Sequence, residues 1–238
     1  MSKTSARLLA AGAALLSLTA APAANAAEQP EATVAAYIFS NGTVTHGIYT
    51  EQGDLTAPHL ASGYTAHHPG WDIRLSDETY GAGLPKQDFR AKASDTSTSA
   101  SAGTSGFISL VDGDSRDVPF AVLKLGSRSV SCTTDGPLFT GGGGSPRLWL
   151  RQHAGELYEV DVLATGTTSA VIADDVNGTR TPTTVKVNSI STTAQAAAWP
   201  QFAKYDGRAK AGAIGHELEI TQQGRTFKIL AGVSAASC

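Results

Sequence analysis

The feature that most constrains this chain is an alternation of apolar and polar residues with a period of two. It recurs in four well-separated segments: 71–76, 158–162, 185–188 and 217–221. Successive side chains of a β-strand point to opposite faces, so this period indicates strands with one buried and one solvated face. A helical period does not recur in the same way. The chain is therefore predicted to consist mainly of β-strands.

Turn sequences separate these predicted strands and indicate how they pair. Four of them suit tight hairpins: Asn41-Gly42, Asp112-Gly113-Asp114, Asn177-Gly178 and Gln223-Gly224. Such turns join antiparallel neighbours. The predicted fold is thus all-β, an antiparallel β-sandwich or small barrel. One short helix is expected over 192–199, which is rich in alanine and precedes Pro200.

Composition divides the chain into regions. Segment 118–125 is apolar on both parities apart from Lys124, and 107–111 is nearly so, which predicts strands covered on both faces at the centre of the core. We expect a main β domain over 107–238. The strands of 27–92 are either added to that domain or form a small companion sheet. Residues 93–106, built mostly of Ser, Thr, Ala and Gly, are predicted to be a loop or linker.

The N-terminal segment 1–26 has the pattern of a secretory signal peptide. Lys3 and Arg7 precede the apolar run 8–18, and Ala24-Asn25-Ala26 supplies small residues for cleavage. Cleavage after Ala26 is expected, which predicts a secreted, extracellular protein. Its removal takes two cations and no acid, so the formal net charge changes from −3 to −5.

Charge and hydropathy then exclude several classes of partner. Nucleic-acid binding depends on clustered Lys and Arg, and here the basic residues are sparse and mixed with acids. After the leader, no apolar stretch approaches the roughly 20 residues of a membrane span. Sortase and lipoprotein attachment signals are also missing. The expected partner is an unidentified extracellular protein or envelope component, reached by free secretion.

Two cysteines, Cys132 and Cys238, remain in the exported region. An oxidising compartment favours a disulfide between them, which would stabilise the fold by about 4 to 5 kcal/mol in the chain-entropy description. A reactive thiol or a metal ligand is the alternative. Neither cysteine has a second cysteine or a histidine at ligand spacing, so the disulfide is the prediction.

No catalytic residues are predicted. His68 and Ser115 lie in faint echoes of the trypsin motifs, but only 47 residues separate them and Arg116 follows the serine where oxyanion-hole glycines belong. Nucleophile-elbow, zincin and Walker motifs do not occur. The sequence indicates a protein that is not an enzyme and has no cofactor.

Metal binding by the 54–72 loop is an alternative. Its candidate ligands are His59, His67, His68 and Asp72. Adjacent histidines of a strand point to opposite faces, so His67 and His68 would both bind metal only from an irregular loop. A solvated polar loop is the competing interpretation.

Trp149, between Arg147 and Arg151 on one strand face, is the candidate ligand-binding residue. An exposed Trp flanked by arginines can stack on a sugar or on another aromatic ring. The competing interpretation places Trp149 in the core, with the two arginines extending to the rim.

Three stretches carry a family resemblance: Pro119 to Leu123, Ser129 to Gly136 with its V-x-C-x-x-x-G pattern, and Gly232 to Cys238. Over 107–238 the chain resembles the choice-of-anchor P group of exported bacterial proteins. The resemblance implies an extracellular β domain with a bond between Cys132 and Cys238, and no catalytic residues. The chain departs from members that end in an anchor.

Together these observations predict a secreted, non-catalytic binding or structural module of the extracellular space or cell envelope. Two alternatives stay open: a secreted hydrolase of unfamiliar type, and a small-ligand or metal carrier that uses the 54–72 loop.

Overall fold

The computed structural model of this chain describes most of the residues from position 30 onward. The described ranges are 30–40, 45–52, 64–66, 73–74, 80–83, 85, 87–94, 96–104, 106–112, 119–142, 145–151, 156–172, 182–222 and 224–238. The predicted signal peptide lies outside them. Within these ranges the fold is all-β, as the alternation predicts, with two short helical segments.

The strands form three antiparallel sheets, which we call sheets A, B and C. In the order of neighbouring strands, sheet A contains β14 (Gly166–Ile172), β15 (Thr183–Ile190), β16 (Ala211–Gln222), β17 (Arg225–Ser237), β1 (Glu31–Ser40) and β2 (Thr45–Gln52). Sheet B contains β11 (Gly136–Gly142), β10 (Ser127–Thr133), β7 (Thr98–Thr104), β6 (Gln87–Ala93) and β3 (Tyr64–Ala66). Sheet C contains β13 (Leu157–Asp161), β12 (Arg147–Arg151), β9 (Ala121–Lys124), β8 (Phe107–Asp112), β5 (Tyr80–Gly83) and β4 (Ile73–Arg74). Within the described residues none of the three sheets closes into a barrel. The fold therefore agrees with the sandwich-like alternative of the prediction.

The inner faces of the three sheets contribute to one hydrophobic core. Sheet A packs on sheet B, with β1 against β6 and β17 against β7 and β10. Sheet C adds side chains of β8, β9 and β12 to the same cluster. Among its fully buried members are Val34, Leu218, Phe89, Val130, Leu123 and Leu148. Each such side chain stabilises the fold by about 1.5 to 3 kcal/mol relative to exposure.

Strands from the 27–92 region are distributed over all three sheets. β1 and β2 belong to sheet A, β3 and β6 to sheet B, and β4 and β5 to sheet C. β1 pairs with β17 along its length, from Glu31 opposite Ser237 to Ser40 opposite Lys228. The N-terminal strands are thus added to sheets that also contain strands of 107–238.

The prediction of a loop or linker over 93–106 is wrong, because residues Thr98–Thr104 form β7 between β6 and β10. Ala100 and Ala102 are buried in the core, and the hydroxyl of Thr98 donates to the Ser237 carbonyl at 2.8 Å. Small side chains allow β7 to lie close against β17. The period of two was present here, but alanine is too small to make it stand out from a loop composition.

The outer face of sheet A is covered by the segment between β15 and β16. Helix α1 (Thr193–Ala196) begins after the N-cap Thr192, whose hydroxyl accepts from the Gln195 N–H, and a 3₁₀-helix covers Pro200–Tyr205. The helix predicted over 192–199 is therefore shorter than expected, and Pro200 starts a second turn. Trp199, Phe202 and Tyr205 pack on Ile38 and Leu230. No helix in the described ranges is both long and apolar enough to cross a membrane.

A β-bulge between β16 and β17 lets β17 contribute side chains to two clusters, the core between the sheets and the cluster under the helical segment. The register of β16 and β17 shifts between Ile214 and His216. A Cβ placed on Gly215 would lie 2.5 Å from the Cα of Val233, so the two backbones touch at this point. Ala231 faces the core between the sheets, whereas Val233 faces the helical segment. The bulge thus changes which face of β17 each residue occupies.

The predicted disulfide is confirmed. Cys132 of β10 and Cys238, directly after β17, are bonded with their Cα atoms 5.5 Å apart. The Cys238 N–H also donates to the Lys210 carbonyl at 3.0 Å. The bond therefore fastens sheet B to the C-terminal end of the central strand of sheet A.

Candidate ligand-binding site

The outer face of sheet C carries a row of large side chains that the core does not use. Leu148 and Leu150 of β12 are fully buried, whereas Trp149 between them points to the opposite face and is half-buried. Trp149 lies opposite Val122 of β9 and Glu159 of β13. The interpretation of Trp149 as a core residue is therefore wrong, because alternation assigns the core to its two neighbours.

A groove of about 710 Å³ lies on this face. Its walls come from β8, β9, β12 and β13 and from Ser145, which precedes β12. The lining residues are Phe107, Val122, Lys124, Ser145, Arg147, Trp149 and Leu157. Small-molecule sites commonly occupy about 300 to 1,000 Å³ and combine apolar walls with a few polar groups. The groove has that size and that mixture.

Two aromatic rings form the apolar part of the groove. Phe107 and Trp149 meet edge to face, with ring centroids 5.8 Å apart and planes inclined by 71°. Phe107 is 50% exposed, and Leu157 on the opposite side is 46% exposed. An edge-to-face contact stabilises a ring pair by about 0.5 to 1.5 kcal/mol beyond its burial. The Trp149 ring is thus held in place while part of it stays accessible.

Two cations accompany the rings. Lys124 of β9 lies directly opposite Phe107 of β8 and Arg147 of β12. Its Nζ atom is 6.0 Å from the centroid of the Phe107 ring. Arg147 contacts the Glu159 carboxylate at 3.3 Å, with both side chains largely exposed. Lys124 forms no such ion pair with any described residue, so among these residues it is a cation without an acidic partner.

Arg151, the third residue predicted for this site, does not line the groove. Its Nε and Nη2 atoms both donate to the Pro119 carbonyl at 3.3 Å. This double contact ties the end of β12 to the segment before β9. The structure thus brings Trp149 and Arg147 together in the groove and gives Arg151 a contact that fixes the backbone beside it.

The groove also contains residues that the sequence interpretation assigned elsewhere. Segments 107–111 and 118–125 were expected to be covered on both faces, and this expectation is wrong for Phe107 and Val122. One face of β8 and β9 supplies Ile108 and Leu123 to the core, and the other contributes to the groove. Val122 lies two residues from Lys124 and therefore on the same face of β9. An apolar side chain beside an exposed lysine was the sequence signal for a surface site.

The candidate metal ligands His59, His67, His68 and Asp72 lie outside the described residues. Within the described ranges, no three His, Cys, Asp or Glu side chains gather as a metal site would require. The metal-carrier interpretation therefore stays a prediction about the 54–72 segment.

Among the described residues, the titratable group with the largest pKa shift lies away from the groove, in the interior. His216 of β16 shares its strand parity with the core residues Leu218 and Ile220, and only 2% of it is exposed. Burial, with a smaller contribution from the Arg128 cation, lowers the pKa of His216 to about 3. Neither ring nitrogen has a hydrogen-bond partner among the described residues. This histidine is therefore neutral and structural.

Charged side chains on the outer face of sheet A form a separate ladder. Glu219 contacts Lys186 at 2.9 Å and Lys228 at 3.4 Å, and Lys228 also reaches Glu217 at 3.5 Å. The hydrogen bond from Lys186 is the main cause that lowers the pKa of Glu219. These acids are satisfied by cross-strand partners and leave no carboxylate poised for acid–base chemistry at this ladder.

Comparisons with known proteins add no relative. No protein-family model, no curated protein and no solved structure matches the chain. The resemblance to the choice-of-anchor P group therefore stays a prediction, and the functional argument depends on the groove itself.

Proposed function

We propose that this chain is a secreted, non-catalytic binding module that holds a small ring-shaped ligand, such as a sugar, in the groove on sheet C. The observation that carries the proposal is the outward-facing Trp149, fixed edge to face against Phe107. A flat ring on a rigid strand offers a stacking surface at little cost in conformational entropy. Leu157 and Val122 extend the apolar surface on either side.

The size of the groove favours a small ligand over a folded protein. Seven residues of the described ranges line it. A stable protein–protein interface involves roughly 20 to 30 residues on each side. The surface of one Trp ring and one Phe ring suits one or two sugar rings. The proposal therefore narrows the predicted partner from an envelope component in general to a saccharide portion of it.

Export of the chain is supported by two independent features. The segment 1–26 has the charge and hydropathy pattern of a leader. The Cys132–Cys238 disulfide is of a kind that persists in oxidising compartments. N-terminal sequencing of the protein from culture medium tests the proposal, and we expect the first residue to be Ala27. A chain that keeps Met1 and stays inside the cell would contradict it.

Binding is tested with the purified protein and a panel of neutral and charged oligosaccharides, measured by calorimetry. Trp149→Ala should weaken binding of any ligand of the groove by about tenfold or more, because the stacking surface is lost. Leu138→Ala is the matched control, since Leu138 is 66% exposed on sheet B. Ligands that bind both variants equally well, or a panel that never binds, would reject the proposal.

A further inference from the structure

The two cations of the groove are placed where they oppose each other. Lys124 and Arg147 are direct cross-strand partners on the outer face of sheet C. Directly opposed residues have Cβ atoms about 4.5 to 5.5 Å apart, and like charges in this position are destabilising. The Glu159 carboxylate contacts Arg147 from the far strand β13, but Lys124 lies on the other side of β12. A ligand anion on this face would supply Lys124 with a counter-charge and could be shared with Arg147 on the neighbouring strand.

The stacking surface lies beside this pair of cations. Trp149 follows Arg147 by two residues on β12, so both point to the same face about 6 to 7 Å apart along the strand. Ser145, two residues before Arg147, lines the groove on the other side and carries a hydroxyl. Along β12 and the residues just before it, the groove thus presents a hydroxyl, a cation and an aromatic ring in sequence.

We infer that the ligand is an acidic saccharide whose sugar ring stacks on Trp149 and whose carboxylate lies between Lys124 and Arg147. This inference rests on the proposed function and adds the charge of the ligand. A neutral sugar would bring no counter-charge to Lys124. A nucleic acid is disfavoured because the chain without residues 1–26 has a formal net charge of −5 and, apart from this pair, its basic residues are mixed with acids.

The experiment compares two forms of one ligand. Tetragalacturonate and its full methyl ester have the same rings, and only the former carries charge. Calorimetry at low salt should give tighter binding for tetragalacturonate, and added salt should reduce the difference. Lys124→Gln should weaken tetragalacturonate binding about fivefold, as expected for an exposed ion pair, and leave the ester unaffected. Lys92→Gln, an exposed lysine of sheet B, should change neither.

The possible outcomes separate the two proposals. Equal affinity for tetragalacturonate and its ester, with loss of both in Trp149→Ala, would overturn the acidic ligand and keep the saccharide groove. Tetragalacturonate binding that Trp149→Ala leaves intact would overturn both, because the site would lie elsewhere. No binding of either form at about 1 mM would reject the acidic saccharide, since that is weaker than a specific site requires. In that case the oligosaccharide panel alone tests whether the groove binds a saccharide.

Discussion

The indole N–H of Trp199 donates to Oε2 of Glu217 at 2.7 Å, in a contact that is buried from solvent. It connects the helical segment to sheet A, and the other carboxylate oxygen of Glu217 accepts from Asn188 at 2.9 Å. Glu217 is only 8% exposed. The covering of the outer face of sheet A therefore depends on a polar contact as well as on apolar packing.

Trp199→Phe should lower the free energy of unfolding by about 2 to 3 kcal/mol. The ring is largely kept, but a buried carboxylate oxygen loses its donor, and the desolvation of that oxygen is no longer offset. Urea unfolding followed by circular dichroism measures the change. Trp149→Phe is the matched control and should cost less than about 1 kcal/mol, because Trp149 lies on an accessible face. Equal losses in both variants would refute the role of the hydrogen bond.

Replacing both cysteines, Cys132→Ala with Cys238→Ala, should destabilise the protein by about 2 to 5 kcal/mol, since the cross-link between the sheets is lost. Thermal unfolding of the oxidised protein, the reduced protein and the double variant measures this. The reduced protein and the variant should agree. Alkylation followed by mass spectrometry should label both cysteines only after reduction, and labelling without reduction would contradict the bond.

The protein should lose stability as the pH falls from about 6.5 towards 3. The unfolded His216 takes up a proton below its ordinary pKa of about 6.5, while the folded side chain stays neutral until about pH 3. Between these values each pH unit costs up to about 1.4 kcal/mol. Urea unfolding at several pH values should show this slope.

His216→Leu is the variant that isolates this effect. It keeps an apolar volume on the inner face of β16 and has no titrating group, so its stability should fall less steeply between pH 6.5 and 4.5. Glu219, whose pKa is lowered, also loses its contribution in acid, below its ordinary value of 4.5. That contribution is common to both proteins and cancels in the comparison. Parallel slopes above pH 4.5 would disprove the assignment.

Gly215→Ala should destabilise the fold by about 2 to 4 kcal/mol. The added Cβ would meet the backbone of Val233 at 2.5 Å, so the two strands must move apart at the bulge. Gly83→Ala serves as the control, because its Cβ would find Ser109 at an ordinary 3.7 Å. Chemical unfolding of both variants checks the prediction, which fails if Gly215→Ala is as mild as the control.

The local patterns of the sequence were sufficient for the fold class. Period-two alternation located strands such as β13, β15 and β16, and the Gln223-Gly224 turn correctly joined β16 to β17. Hairpin partners are neighbours in sequence, so turn chemistry encodes them. The pairing of β1 with β17 has no such local signal, because it is set by packing between segments far apart in the chain.

The candidate site was only partly accessible to the same reasoning. Trp149 and Arg147 were recognised from their spacing on one strand, but Phe107 and Lys124 join them only because β8, β9 and β12 are neighbours in sheet C. Alternation gives the two faces of a strand without saying which one the core occupies. For β8 and β9 the sequence therefore could not show that one face lines a groove.

The pairing of β1 with β17 also governs when this protein can fold. β1 is synthesised well before β17, yet β17, which completes its hydrogen bonds, ends at Ser237, and the disulfide requires Cys238. Contacts between such distant segments form slowly, since a long loop must close first. An emerging chain therefore has no complete sheet A until its C-terminal strand is available. If the chain is exported unfolded, this late completion of sheet A would place its folding after translocation.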